Sequence, residues 1–128
     1  MKTSIATVSI SGNFSEKLEA IATAGFDGIE IFEQDFIAHD GDPREVGEMI
    51  RAMGLEITLF QPFRDFEGLP KQLRTKALDR AEQKFDLMQE LGTDLILICS
   101  SCHPEALGGI DRAAADFYEL GERAAKRG

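Results

Sequence analysis

Four short apolar runs punctuate the chain, and the stretches between them place apolar residues at helical spacing. In the run 55 to 60, Leu55, Ile57 and Leu59 alternate with Glu56, Thr58 and Phe60, the two-residue period of a β-strand. The segment 3 to 10 (TSIATVSI), the run GIEIF ending at Phe32 and the run LILI before Cys99 complete a set of four predicted strands. Between them, Phe14, Leu18, Ile21 and Ala22 form one helical stripe, capped by Asn13 or Ser15. A second stripe is Val46, Met49, Ile50 and Met53, after a start in which Asp42 is the N-cap, Pro43 stands at N1 and Glu45 at N3. Leu78, Ala81, Phe85, Met88 and Leu91 make a third, and Ala114, Phe117, Leu120 and Ala124 a fourth, with Asp111 as its expected cap.

These elements repeat in one order. ATAGFDGIEIF, RAMGLEITLF and QELGTDLILI each end a helix at a glycine, pass an acidic residue and enter an apolar strand. Gly25, Gly54 and Gly92 stand where a helix wants a left-handed residue just past its end. Strict βα alternation predicts parallel strands joined by right-handed crossovers. An open doubly wound sheet and a closed barrel both satisfy that rule. Gly12 is the one glycine after the first strand, so the Gly-x-Gly-x-x-Gly fingerprint of nucleotide-binding open sheets is missing. At Gly128 the same grammar calls for a fifth strand, and a closed barrel needs about 250 residues. The expectation is an α/β fold of four consecutive βα units with a parallel sheet. Residues 1 to 128 then form a single domain, the amino-terminal half of a (β/α)8 TIM barrel.

Barrel chemistry gathers on the loops after the strands. FEQDF (32 to 36), FQPFRDFEG (60 to 68) and CSSCHPE (99 to 105) occupy those places. Strict alternation sends Ile29, Ile31, Leu55, Ile57 and Leu59 toward the helices. It sends Glu30, Phe32, Glu56, Thr58 and Phe60 into the interior.

Composition narrows the partners. A net charge of −9 and a pI near 4.7 oppose binding to nucleic acid or to an anionic membrane. Neither a leader-like start nor an apolar run of ~18 residues stands out, so a cytoplasmic protein is expected. Strands 1 and 4 of a half-barrel are open edges, and the interior face loses its opposite wall, so a homo-oligomer is expected.

GFDGIEIFEQD, LEITLFQPFRDFEG and the stretch from FDLMQELGTDLILICSS to ERAAKRG resemble the amino-terminal half of bacterial 3-dehydroshikimate dehydratases. These are members of the xylose-isomerase-like barrel superfamily, alongside sugar phosphate isomerases and epimerases. The resemblance implies a lyase that converts 3-dehydroshikimate to protocatechuate. It also implies a divalent metal (magnesium, manganese or cobalt) acting as Lewis acid on the substrate ketone, with ligands on later strands. This chain is then an inactive fragment with no metal ligands or catalytic residues of its own. Its contribution is substrate wall: Arg64 for the carboxylate, Phe32, Phe60 and Phe63 around the ring, Gln61 for a neutral hydrogen bond, and His103 from the fourth loop. An isomerase or epimerase half-barrel, and a non-catalytic half-barrel that self-associates, are the competing functions.

Each residue also has a plainer reading. Arg64 has Asp65 and Glu67 beside it for a solvated ion pair. Glu30 and Glu56 read as structural polar pairs or as acid and base. Cys99-x-x-Cys102-His103 spells a haem attachment signature and a redox or zinc spacing, but the context favours two reduced thiols. Gly108-Gly109 before the last helix reads as a flexible loop or a phosphate site.

Overall fold

The computed structural model describes all 128 residues, Met1 to Gly128. One sheet holds four parallel strands in the order β1-β2-β3-β4: β1 Ser4–Ala6, β2 Gly28–Phe32, β3 Glu56–Phe63 and β4 Ile96–Ile98. The helices are α1 Phe14–Thr23, α2 Glu33–His39, α3 Pro43–Ala52, α4 Lys71–Leu91 and α5 Ile110–Ala125. The fold is therefore the expected run of βα units. The chain forms two compact units, one of residues 1–62 with 88–97, the other of 63–87 with 98–128.

In the first unit, the capping chemistry read from the sequence is in place. Asn13 Oδ1 accepts from Glu16 N at 2.9 Å while Asn13 Nδ2 donates to Glu16 Oε1 at 2.8 Å, so Asn13 and not Ser15 caps α1. Asp42 Oδ1 accepts from Arg44 N and Glu45 N at 3.0 and 3.2 Å, with Pro43 opening α3. Gly25, Gly54 and Gly92 have φ of +84°, +80° and +85°, the left-handed conformation that ends a helix. α1 buries Phe14, Leu18 and Ile21, and also Lys17, whose Nζ reaches both Asp35 oxygens at 3.0 Å. A buried ammonium persists only when it is paired in this way.

The first strand and the segment after β2 differ from expectation. The first strand is three residues long and gives way to a 3-10 turn at Thr7–Ser9, because fully buried Thr7 turns its Oγ1 to accept from Phe32 N at 3.0 Å. FEQDF is not an open loop. It starts α2, with Glu33 and Asp35 in the first turn where the helix dipole favours acids, and Asp40 at φ +54° ends the helix.

The register of β3 changes the assignment of faces. Ile29 pairs with Ile57, but Glu30 pairs with Leu59, Ile31 with Phe60 and Phe32 with Gln61. Thr58 is the extra residue, a β-bulge. Its Oγ1 donates to Ile29 O at 2.8 Å and lies 2.9 Å from Ser4 Oγ, so one hydroxyl joins all three strands. Beyond the bulge every β3 side chain changes face. Phe60 shares the fully buried side with Ile31, and Leu59 joins Glu30 on the other side, the reverse of what strict alternation predicts.

Gly47 of α3 is buried where a Cβ would stand 2.4 Å from Leu91 O, the carbonyl that also accepts from Arg51 Nη1 at 2.8 Å. Alanine is favoured over glycine in a helix by about 1 kcal/mol. Here the clash with main chain outweighs that gain. Gly47→Ala is expected to lose about 1–3 kcal/mol, the usual penalty of overpacking. Urea unfolding checks this, and a midpoint at or above wild type would show that the end of α4 yields without cost.

In the second unit, α4 buries Ala77, Leu78, Ala81 and Phe85. α5 departs from its expected pattern. Gly109, at φ +93°, takes the cap position, Asp111 lies in the first turn, and Ala114 and Phe117 are exposed. The side chains that α5 buries are Leu120 and Asp116. Asp116 opens a ladder of charges. Arg74 Nε donates to Asp116 and Arg74 Nη2 to Glu119, both at 2.6 Å; Arg123 joins Glu119 (2.9 Å) to Glu82 (3.3 Å); Arg127 joins Glu82 (2.6 Å) to Asp86.

Hydrogen bonds from Arg74, then from Arg123, hold the Glu119 carboxyl below its ordinary value of 4.5. A lowered carboxyl gives stability that is complete above the ordinary value and is lost as pH falls through the folded one. Glu119→Gln is therefore expected to be less stable than wild type at neutral pH. The gap should close as the solution is acidified below 4.5. Urea midpoints across that range check it, and a gap independent of pH would remove Glu119 from the acid response.

Candidate functional site

β2 and β3 as far as Pro62 lie in the first unit, and toward their ends the interior face carries polar groups. Gln61 Nε2 donates to Glu30 Oε2 at 2.7 Å. Glu30 is half-buried, and Gln61 retains 9% of its surface. This is the diagonal contact that the bulge allows, since Leu59 stands opposite Glu30 and Gln61 is two residues further along the same face. Phe32, paired with Gln61, is half-buried, and its main-chain N–H is held by Thr7. Of the two glutamates singled out by alternation, Glu30 sits at this site. Glu56 is exposed and forms an ion pair with Lys2. Phe60 has none of its surface exposed, so it belongs to the core behind the face.

The loops after β3 and β4 lie in the second unit and are tied together by carboxylates. Glu67 Oε1 accepts from Ser101 N at 2.7 Å, and Asp65 Oδ1 accepts from Cys102 N at 2.9 Å. Gly68 O accepts from Leu107 N at 2.7 Å. Asp116, 3% exposed, accepts from Gly68 N at 2.8 Å and so connects the β3 loop to α5. Arg80 donates to Arg64 O at 3.2 Å and to Asp65 O at 2.9 Å. Its guanidinium also lies 5.3 Å from the centre of the Phe63 ring, with Lys84 Nζ at 5.4 Å. Phe63 is fully buried and packs on Phe66, which packs on Phe117. Glu67 Oε2 and Ser101 Oγ are buried without a hydrogen-bond partner.

This arrangement bears on the ion-pair reading of Arg64. The neighbouring acids are not its partners, because both are turned to the amides of the β4 loop. The Arg64 side chain is exposed, while its carbonyl is fixed by Arg80. A planar five-donor fork thus stands at the mouth of β3 on an immobilised backbone. His103 is half-buried in the β4 loop. Its Nδ1 accepts from Glu105 N at 3.1 Å, which leaves Nε2 as the nitrogen able to donate. Sequence reasoning named Arg64, Gln61 and His103. It missed Thr7, Arg80 and Asp116, whose partners are main-chain groups or residues far along the chain.

Cys99 is half-buried and Cys102 exposed, and both are free thiols. Among the His, Cys, Asp and Glu side chains, no three gather into a set that could hold a metal ion. The donors of this chain therefore do not fit the divalent metal that the sequence resemblance implies. No helix is long and apolar enough to cross a membrane.

A family model described as the xylose isomerase-like TIM barrel matches residues 18–128, and the chain belongs to that family. Over its whole length the chain is 59% identical to the 3-dehydroshikimate dehydratase of Pseudomonas putida, of which it covers 20%. It is likewise 59% identical to a solved xylose isomerase-like TIM barrel/4-hydroxyphenylpyruvate dioxygenase fusion protein, with a TM-score of 0.96, covering 100% of this chain and 21% of that one. A structure of the IolI protein with a bound zinc atom shares the fold at 14% identity. Its TM-score is 0.79, with 99% of this chain and 47% of that one covered. The chain spans about one fifth of the length of the curated relatives it matches at this identity.

Proposed function

We propose that these residues form the first four βα units of a barrel that removes water from 3-dehydroshikimate to give protocatechuate. The observation that carries this reading is 59% identity, without a break in coverage of this chain, to 3-dehydroshikimate dehydratases. It is supported by the free guanidinium of Arg64 at a strand end, where barrel substrates bind. In this reading the second unit supplies Arg64 to the substrate carboxylate in two parallel hydrogen bonds, and His103 Nε2 as a neutral donor. Taken by itself, the first unit offers Gln61 and the Phe32 ring as candidate substrate contacts at the ends of its strands. Phe60 and Phe63, which show no surface, act as the packed backing of β3. The metal ligands come from later strands, so no step assigned to this chain runs through a metal.

In a complete barrel, Arg64→Ala is expected to lose about 1.5–3 kcal/mol of substrate interaction, the worth of a hydrogen bond to a charged group. That is roughly one to two decades in kcat/KM. Arg64→Lys should restore only part, since a point charge cannot form the fork. Steady-state kinetics with 3-dehydroshikimate check both, and unchanged kinetics in the alanine variant would return Arg64 to a solvent-facing role.

The isolated 128 residues are expected to be inactive and to associate. β1 and β4 are the outer strands, and Ile110 and Tyr118 are exposed at 85% and 71%. Light scattering should give a dimer or larger species, and an absorbance assay should detect no protocatechuate. A stable monomer would refute the first expectation, and turnover comparable to an intact barrel the second.

A further inference from the structure

Resting on the function just proposed, and going beyond it, we propose that Gln61, oriented by Glu30, recognises a hydroxyl group on the substrate ring. A carboxylate can only accept hydrogen bonds, so the 2.7 Å contact to Glu30 Oε2 fixes which end of the Gln61 amide faces it. The NH2 group is turned to Glu30, and Oε1 is the end turned away. Gln61 therefore presents an acceptor. A substrate carbonyl or carboxylate has nothing to donate to it and is further opposed by the negative charge on Glu30. A hydroxyl donates, and is matched.

Three features hold this acceptor in place. The bulge at Thr58 brings Gln61 onto the face of Glu30, opposite Phe32. Thr7 anchors the Phe32 main chain at 3.0 Å. With 9% of its surface exposed, Gln61 works in a confined setting where an unmatched acceptor is costly. Sites built to bond a hydroxyl discriminate strongly against analogues that lack it, because the buried polar group is then left unpaired.

The test is calorimetric binding to a complete barrel carrying these residues. The ligands are 3-dehydroshikimate and analogues in which one ring hydroxyl at a time is replaced by hydrogen. Wild type should prefer the natural ligand to one of the analogues by about tenfold to a hundredfold. Gln61→Met keeps reach without the acceptor and should erase that preference. Glu30→Gln keeps the shape but lets the Gln61 amide rotate, and should reduce the preference in part. If Gln61→Met does not fold, the Glu30→Gln ratio decides. Arg64→Ala should weaken every ligand alike and leave the ratio unchanged. Wild type that binds without preference, or a preference undiminished in the Gln61 and Glu30 variants, overturns the inference even if Arg64→Ala shows the carboxylate contact to be real. Loss of the ratio in Gln61→Met with full binding in Arg64→Ala supports Gln61 and removes Arg64. Wild type that binds none of these compounds ends both readings.

Discussion

One extra residue in β3 determines what the interior face of this sheet contains. With Thr58 inserted opposite Ile29, the side chains that follow are shifted by one position. Without it, Phe60 would stand opposite Phe32, where Gln61 now does, and Gln61 would lie on the far side of the strand from Glu30. The bulge is held by a hydroxyl and not by apolar packing. Thr58 Oγ1 bonds a carbonyl of β2 and meets Ser4 of β1, so the irregular strand is fixed to both its predecessors at the point of irregularity. The pairing of Gln61 with Glu30 depends on that local choice. Gly28 belongs to the same device, because a Cβ there would stand 2.8 Å from the Thr58 methyl and 2.9 Å from Glu56 O.

In the second unit the organising groups are carboxylates. Asp65 and Glu67 turn away from the arginine beside them and bond amides of the β4 loop. Asp116 does the same for Gly68 from within α5. The effect is electrostatic as well as mechanical. An arginine whose adjacent acids are occupied elsewhere is left available to an outside anion, although the chain as a whole is strongly acidic.

Much of this was legible in the sequence. The helix caps at Asn13 and Asp42 and the left-handed glycines at 25, 54 and 92 are local signals, complete within a few residues, and each appears as read. That the strands are parallel followed from alternation, and their order from choosing the barrel over the open doubly wound sheet. The faces of β3 did not, because a bulge depends on pairing with a partner strand and a two-residue period assumes there is none. α2 was missed because seven residues give too few turns for an apolar stripe to declare itself. The charge ladder was illegible for another reason: Arg74 and Asp116 are 42 residues apart, and Arg127 and Glu82 are 45. A run such as ELGERAAKRG shows only that charges are present. At the site, the loops and their charged residues could be named, but Thr7, Arg80 and Asp116 act on main-chain groups, which carry no residue signature.

The junction between the β3 and β4 loops is chemically one-sided. Asp65 and Glu67 contribute side chains, whereas Ser101 and Cys102 contribute only main-chain N–H groups. Every amino acid but proline has that N–H. The exposed position 102 is therefore free to drift through almost any residue while the junction survives, whereas positions 65 and 67 must keep a side-chain acceptor of the right reach. Among descendants of this fold the CSSCH signature should be ephemeral and the acids of FRDFEG persistent. A thiol at position 102 then says little about ancestry or chemistry, and a carboxylate at position 65 says a good deal.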